Sequence, residues 1–133
     1  MHRILVKKQS GGIKEKIRLA SSKSESNRAL IINALSGFGG DLQNLSTARD
    51  TQTMIRLLKS ADAVADVLDA GTTMRFLTAY FAITNQSKTM TGTPRMCERP
   101  IGILVDALKS IGCEIEYLAK EGYPPTQLKG FKE

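Results

Sequence analysis

The chain has 133 residues, of which 41% are hydrophobic and 24% are charged, and its formal net charge is +6. This size and composition are typical of one globular domain or part of one, which can bury about two-thirds of its surface on folding. No apolar run approaches the ~20 residues of a membrane span, and no secretory signal pattern opens the chain, so we expect a cytoplasmic protein without a membrane association.

The cysteines and the histidine do not form a metal-ligand pattern. Cys97 and Cys113 stand far from the one histidine, His2. Structural zinc sites need four ligands at short, paired spacings. We therefore expect free thiols and no zinc site.

Basic residues crowd the first 28 positions of the chain. Such a charge excess can indicate a nucleic-acid partner. Aromatic residues make up only 5% of the chain, however, and none alternates with the basic residues as a base-stacking platform would. We therefore predict a small phosphorylated or carboxylated ligand and no nucleic-acid partner. A basic nucleic-acid-binding module is the alternative. The basic residues are Arg3, Lys7, Lys8, Lys14, Lys16, Arg18, Lys23 and Arg28.

Two patterns near the N-terminus predict strands. Residues 4–6 form a short apolar run, and the glycines at 11–12 indicate a turn. From 13 to 19, apolar residues alternate with basic ones, and only Glu15 interrupts the apolar side. This alternation predicts a half-exposed strand with a basic face.

Residues 21–30 (SSKSESNRAL) place hydroxyls and two basic side chains at the mouth of an apolar helix. A helix N-terminus leaves its first N–H groups unpaired and carries partial positive charge. Ser24 and Ser26 are suitable capping residues. Lys23 lies just before the helix and Arg28 within its first turns. The stretch alone fits two hypotheses equally, a phosphate or carboxylate site and a capped surface helix with incidental basic residues.

Residues 68–75 (LDAGTTMR) repeat this arrangement of strand, turn and helix. Gly71 lets a ligand approach the backbone closely. Thr72 or Thr73 can cap the helix, and Arg75 lies in its first turn, facing any anion bound there.

Helical and strand patterns continue along the chain. Helices are predicted to begin near residues 22, 50, 71 and 100, strands at 41–45, 64–68, 88–91, 114–118 and 127–129, and glycine-containing turns at 37–40 and 122–125. Strands that alternate with helices of this length predict a layered α/β or α+β domain.

Three times, a loop with hydroxyl or basic residues leads into a helix, near Lys23, near Gly71 and near Arg95. If these helix N-termini converge, each adds about 0.3–1 kcal/mol for a nearby negative charge. Charge-assisted hydrogen bonds from Arg and Lys, about 1.5–3 kcal/mol each, would dominate the binding of an anion.

Four motifs, in order, resemble those of the 5-enolpyruvylshikimate-3-phosphate synthase family. They are SKSESNRAL at 22–30, AGTTMR at 70–75, RMCERPIG at 95–102 and EGYPP at 121–125. Together they cover nearly the whole chain, which makes the resemblance specific. Two alternatives are a related enolpyruvyl transferase acting on a nucleotide sugar, whose first motif differs, and a regulatory or structural fragment without a ligand.

The resemblance implies transfer of the enolpyruvyl group of phosphoenolpyruvate to the 5-hydroxyl of shikimate 3-phosphate, with release of phosphate, in aromatic amino-acid biosynthesis. It implies no cofactor. Asp50 and Arg99 match the family pattern and are interpreted as structural residues, while Arg75 either binds an anion or holds its loop. The site residues that the resemblance implies are Lys23, shared between the two substrates, Ser24 and Arg28 at shikimate 3-phosphate, and Gly71, Thr72 and Arg95 at phosphoenolpyruvate.

One departure from the family pattern is Asp69, which stands where the family often has Asn and adds a negative charge beside the Gly71 loop. The family has two lobes built from βαβαββ units, with the site between them. The resemblance implies that residues 1–20 are a strand segment of the other lobe and that residues 21–133 are part of an incomplete first lobe. We expect the 133 residues alone to be inactive and able to self-associate, and the full enzyme to be monomeric.

Overall fold

A computed structural model describes residues 3–8 and 10–131 of the chain. The described part contains five helices and four strands. The helices are α1 (Lys23–Leu35), α2 (Arg49–Lys59), α3 (Gly71–Ile83), α4 (Pro94–Cys97) and α5 (Gly102–Ser110), and the strands are β1 (Val64–Asp66), β2 (Lys88–Thr91), β3 (Cys113–Tyr117) and β4 (Thr126–Phe131).

The four strands form one mixed sheet in the order β1-β2-β4-β3. β1 pairs parallel with β2, with Val64 beside Thr89, and β4 runs antiparallel to both β2 and β3. A register shift between Glu114 and Ile115 bends the pairing of β3 with β4. From β1 onward the elements follow the βαβαββ pattern, with α4 as an additional short turn of helix. The predicted α/β class is therefore confirmed.

Helix α3 is the central element of the core. It packs against β2, β3 and β4 of the sheet and against α1, α2 and α5. Met74 and Leu77 on its inner face are completely inaccessible to solvent, as are Met90 of β2 and Leu128 of β4. Burial alternates along β2 and β4, so one face of the sheet packs on the helices and the other is more exposed. This packing fixes the position of the first turn of α3.

The loop between α1 and α2 corrects one prediction. α1 ends as expected, with Ser36 as its C-cap and Gly37 in the left-handed region at φ 78°. The strand predicted at 41–45 is wrong. Leu42 and Leu45 are instead half-buried against the core from an irregular loop, so their apolar character reflects packing and not strand pairing.

The helix predicted to begin near Pro100 also starts later than expected. α5 begins at Gly102, with Ile101 as its N-cap, and Pro100 precedes it. Pro94 instead occupies the first turn of α4, where a missing N–H costs nothing. Lys109 in the last turn of α5 lies over the ring of Tyr117, with its Nζ 5.2 Å from the ring centroid.

The N-terminal arm, defined as residues 3–8 and 10–20, forms neither helix nor strand. Ile4, Ile17 and Leu19 are 90%, 78% and 88% exposed. The strands predicted at 4–6 and 13–19 are therefore wrong for this chain, because an extended segment needs a partner for its backbone N–H and C=O groups. The assignment of residues 1–20 to another lobe stays a prediction, and His2 lies outside the described residues.

Candidate anion-binding site

The first turn of α1 carries the first group of predicted site residues. Ser22 is the N-cap, and its Oγ accepts a hydrogen bond from the N–H of Glu25 at 3.3 Å. The prediction that Ser24 or Ser26 caps this helix is therefore wrong. Ser26 is buried, and its Oγ accepts a hydrogen bond from the N–H of Ser46 at 2.9 Å, which fastens the following loop to α1. Ser24 stays exposed.

Lys23 connects the start of α1 to the start of α2. Its Nζ lies 3.0 Å from Oδ2 of Asp50, and 49% of the lysine side chain is exposed. The ammonium group is therefore held in place by a carboxylate while it remains accessible to a ligand.

Arg28 turns back toward the beginning of its own helix. Its Nη1 donates to the carbonyl of Ser24 at 3.0 Å, and both residues are exposed. Arg28 also borders an apolar groove between α1 and α3, next to Phe76 and Tyr80. Arg28 and Ser24 therefore form one polar edge beside Lys23.

Asp50 joins three helix N-termini. Its side chain holds Lys23 of α1, and its backbone carbonyl accepts a hydrogen bond from Oγ1 of Thr73 in α3 at 3.2 Å. Thr73 is fully buried. The first turns of α1, α2 and α3 therefore meet around one residue, and the positive ends of three helix dipoles lie close together.

Gly71 is buried at the first position of α3. The N-cap is Ala70, and no side chain bonds to the free N–H groups of this turn. The prediction of a cap from Thr72 or Thr73 is therefore wrong, since Thr72 is exposed and Thr73 bonds to α2. A Cβ at Gly71 would lie 2.2 Å from Nη1 of Arg99, so a side chain there requires the arginine to move.

Arg75 holds the Gly71 loop to the segment before α5. Its Nη1 donates to the carbonyl of Gly71 at 3.1 Å, and its Nη2 donates to the carbonyl of Pro100 at 3.0 Å. Of the two roles considered for Arg75, these bonds support the one that holds the loop.

Arg95 and Arg99 line an open cavity of about 500 Å³ together with Asp69 and Met96. The carboxylate of Asp69 accepts a hydrogen bond from the hydroxyl of Thr93. Within residues 3–8 and 10–131 the two ion pairs are Lys23 with Asp50 and Lys129 with Glu116, so neither arginine of the cavity is ion-paired.

This arrangement is suited to anions. Lys23 and Arg95 lie in the first turns of α1 and α4, and α3 begins with N–H groups that no side chain caps. Charge-assisted hydrogen bonds from ammonium and guanidinium groups are the strong ones in proteins. No cluster of three or more His, Cys, Asp or Glu side chains suited to a metal occurs in the described part of the chain.

Sequence reasoning placed Arg99 outside the site. The structure shows its guanidinium over Gly71 and in the same cavity as Arg95. Arg99 lies beyond Glu98, the C-cap of α4, so helical spacing from Arg95 gives no signal for its position.

The sequence matches the family model described as EPSP synthase (3-phosphoshikimate 1-carboxyvinyltransferase) at residues 7–67 and 58–133. It is 54% identical over 118 residues to a 3-phosphoshikimate 1-carboxyvinyltransferase of Bacteroides fragilis (strain YCH46), a match that covers 89% of this chain and 29% of that relative. It is 40% identical over 140 residues to the protein of the same name from Erwinia tasmaniensis, covering 86% of this chain and 33% of that relative.

The fold gives an independent comparison. A solved structure of EPSP synthase from Acinetobacter baumannii superposes with a TM-score of 0.71 at 18% sequence identity, covering 87% of this chain and 32% of that one. The chain thus spans about a third or less of the length of these relatives. No described helix has the length and apolarity needed to cross a membrane. With a family model that matches nearly all of its length, the chain belongs to the EPSP synthase family.

Proposed function

We propose that this chain forms part of an enzyme that transfers the enolpyruvyl group from phosphoenolpyruvate to the 5-hydroxyl of shikimate 3-phosphate and releases phosphate. The observation that carries the proposal is the meeting of three helix N-termini around Asp50, with Lys23 held at their centre, in a chain of this family. Both proposed substrates are anions, which positive helix ends and basic side chains favour.

The positions of Lys23, Ser24 and Arg28 support the roles proposed for them. Lys23 contacts both substrates; its side chain is half exposed, and Asp50 holds its ammonium in place, which supports this role. Ser24 and Arg28 lie on one edge of Lys23 and bind shikimate 3-phosphate. The remaining residues, which bind phosphoenolpyruvate, are Gly71, Thr72 and Arg95.

The 133 residues do not catalyse the reaction alone under this proposal. Proton transfers to and from the substrates need positioned acids and bases, and the carboxylate nearest Lys23, on Asp50, is engaged by the lysine itself. We propose that residues 21–133 belong to one lobe, that residues 1–20 belong with another, and that the complete enzyme is a cytoplasmic monomer that requires no cofactor.

The test is phosphate release by a full-length protein that carries these residues, measured with both substrates. Lys23→Ala should lower kcat/KM by about 10²-fold or more, as removal of one charged group from a catalytic site does. Lys120→Ala is the matched control, because Lys120 is exposed and lies over the ring of Tyr123, and it should leave the rate unchanged. Failure of the intact protein to release phosphate from these substrates would refute the proposal.

A further inference from the structure

The loops that follow β1 and β2 are joined at Asp69 and Thr93. The N–H of Thr93 donates to the carbonyl of Leu68 at 3.1 Å, and the hydroxyl of Thr93 donates to the carboxylate of Asp69. Gly92 allows this close approach, because an ideal Cβ on it would lie 2.5 Å from the carbonyl oxygen of Leu68. One main-chain bond and one side-chain bond therefore connect the two loops.

Thr93 is also the N-cap of α4. Its Oγ1 accepts a hydrogen bond from the N–H of Met96 at 3.3 Å, and its carbonyl accepts one from the N–H of Cys97 at 3.0 Å. A hydroxyl has one proton to donate and two lone pairs that accept. Because the proton of Thr93 is engaged by Asp69, the hydroxyl is held in the orientation in which its oxygen caps the helix.

Arg95 lies in this capped turn, between Pro94 and Met96. It is exposed, and together with Asp69 it lines the open cavity of about 500 Å³. Since α4 has only four residues, its first turn depends on the cap more than on bonds within the helix. Loss of the bond between Asp69 and Thr93 should therefore loosen the turn that positions Arg95.

The same carboxylate brings a negative charge to the cavity. The two ion pairs among the described residues, Lys23 with Asp50 and Lys129 with Glu116, do not include Asp69. A carboxylate that is not neutralised repels an anion bound beside it. Asparagine would keep the acceptor oxygen for the hydroxyl and remove the charge, so the two effects of Asp69 can be separated.

We propose that Asp69 is a positioning residue that fixes Arg95 through Thr93, and that its charge at the same time weakens the binding of an anion in the cavity. The inference rests on the proposed function, in which Arg95 binds phosphoenolpyruvate. It adds to that function a positioning residue and a determinant of affinity.

Hydrogen exchange of the Met96 amide, followed by NMR in the full-length protein, tests the positioning role. Asp69→Ala should speed this exchange, because the capping hydroxyl is released, and Thr93→Val should speed it further, because the acceptor is lost. Asp69→Asn should keep the wild-type rate, since its amide oxygen still accepts from Thr93. Equal rates in Asp69→Ala and the wild-type protein would overturn the inference, whether or not the protein releases phosphate.

The KM for phosphoenolpyruvate of the full-length protein tests the effect of the charge. Asp69→Asn should lower this KM about fivefold, the size expected for two unit charges about 4 Å apart in water, and should leave the KM for shikimate 3-phosphate unchanged. Asp41→Asn is the matched control, because Asp41 is an exposed carboxylate that also accepts a side-chain hydrogen bond, from Gln43. An unchanged or higher KM for phosphoenolpyruvate in Asp69→Asn would contradict the role of the charge.

Combined substitutions test whether Asp69 acts through Thr93. With the hydroxyl present, Asp69→Ala should give a higher KM for phosphoenolpyruvate than Asp69→Asn. In the Thr93→Val background the two variants should have the same KM, because neither has a hydroxyl to bind. A difference of equal size in both backgrounds would show that Asp69 does not act through Thr93.

The proposed function and this inference can fail separately. If the full-length protein does not release phosphate from the two substrates, the proposed function fails, and the part of the inference that concerns anion affinity fails with it. The exchange rate of the Met96 amide still decides whether Asp69 positions the turn that carries Arg95.

Discussion

The N-terminal arm and the packed part of the chain both contain apolar residues that alternate with charged ones, but only the packed part forms strands. In the arm, Ile13 and Ile17 alternate with basic residues and are 74% and 78% exposed. In β3, Cys113 and Ile115 alternate with glutamates and are only 4% exposed each. The difference is β4, which pairs with β3 along its whole length. Alternation therefore indicates a segment able to form a strand, and a neighbouring strand decides whether it does.

The largest expected effect contrasts two leucines. Leu77→Ala in α3 should lower the free energy of unfolding by about 2–5 kcal/mol, because it removes a completely buried side chain and leaves a cavity. Leu19→Ala in the arm should change it by less than about 0.5 kcal/mol. Urea denaturation of both variants measures the difference. Surface substitutions rarely change the free energy of unfolding by more than about 1 kcal/mol. A larger loss in Leu19→Ala would show that the arm packs on the rest of the chain.

An intermediate effect is expected at the start of α1. Ser22→Ala removes the side chain that accepts from the N–H of Glu25 and should cost about 1 kcal/mol, as the loss of an N-cap does. Ser10→Ala, in the arm, is the control and should cost nothing measurable. Thermal unfolding monitored by circular dichroism compares the two, and equal melting temperatures would argue against the cap.

The smallest expected effect is a pH dependence of the free energy of unfolding that arises from the packed part of the chain and not from the arm. Burial raises the pKa of the Cys113 thiol, and burial, followed by the charges of Asp106 and Glu121, raises the pKa of Tyr117. Both groups stay neutral in the folded chain while the unfolded chain ionises, so stability is full below the ordinary pKa values and falls as the pH rises past about 9 to 10.

Urea denaturation at several pH values, from neutral to alkaline, measures how the free energy of unfolding changes with pH. Tyr117→Phe should make the fall shallower, because the phenol no longer titrates. Removal of residues 1–20 should leave the slope as it is, since that segment contains neither cysteine nor tyrosine. Stability that holds constant or rises through this pH range would contradict the prediction.

Local signals were sufficient for much of the fold. The stripe of Met54 and Leu57 places α2, and the alternation from Glu114 onward places β3 within a residue of its observed start. Local signals failed where contacts with residues distant in the sequence decide whether a segment forms a strand. The arm has no partner strand in its described residues, and Leu42 and Leu45 pack on the core without forming a strand.

The candidate site shows the same limit. Its basic loops could be read from the sequence, because Lys23 and Arg95 stand next to helix starts. The capping residue could not be chosen among several serines, since only the path of the chain before the helix makes it Ser22. The contact of Arg99 with Gly71 joins residues from two separate loops, which no local pattern specifies.

The two hydrogen bonds of Arg75 connect two loops that are distant in the sequence. Because one guanidinium donates to the carbonyls of both Gly71 and Pro100, the two loops move as a unit. A lengthened or shortened loop on one side would pull the other out of place. Exchange of either loop with that of a relative should therefore succeed only when both loops and Arg75 are exchanged together.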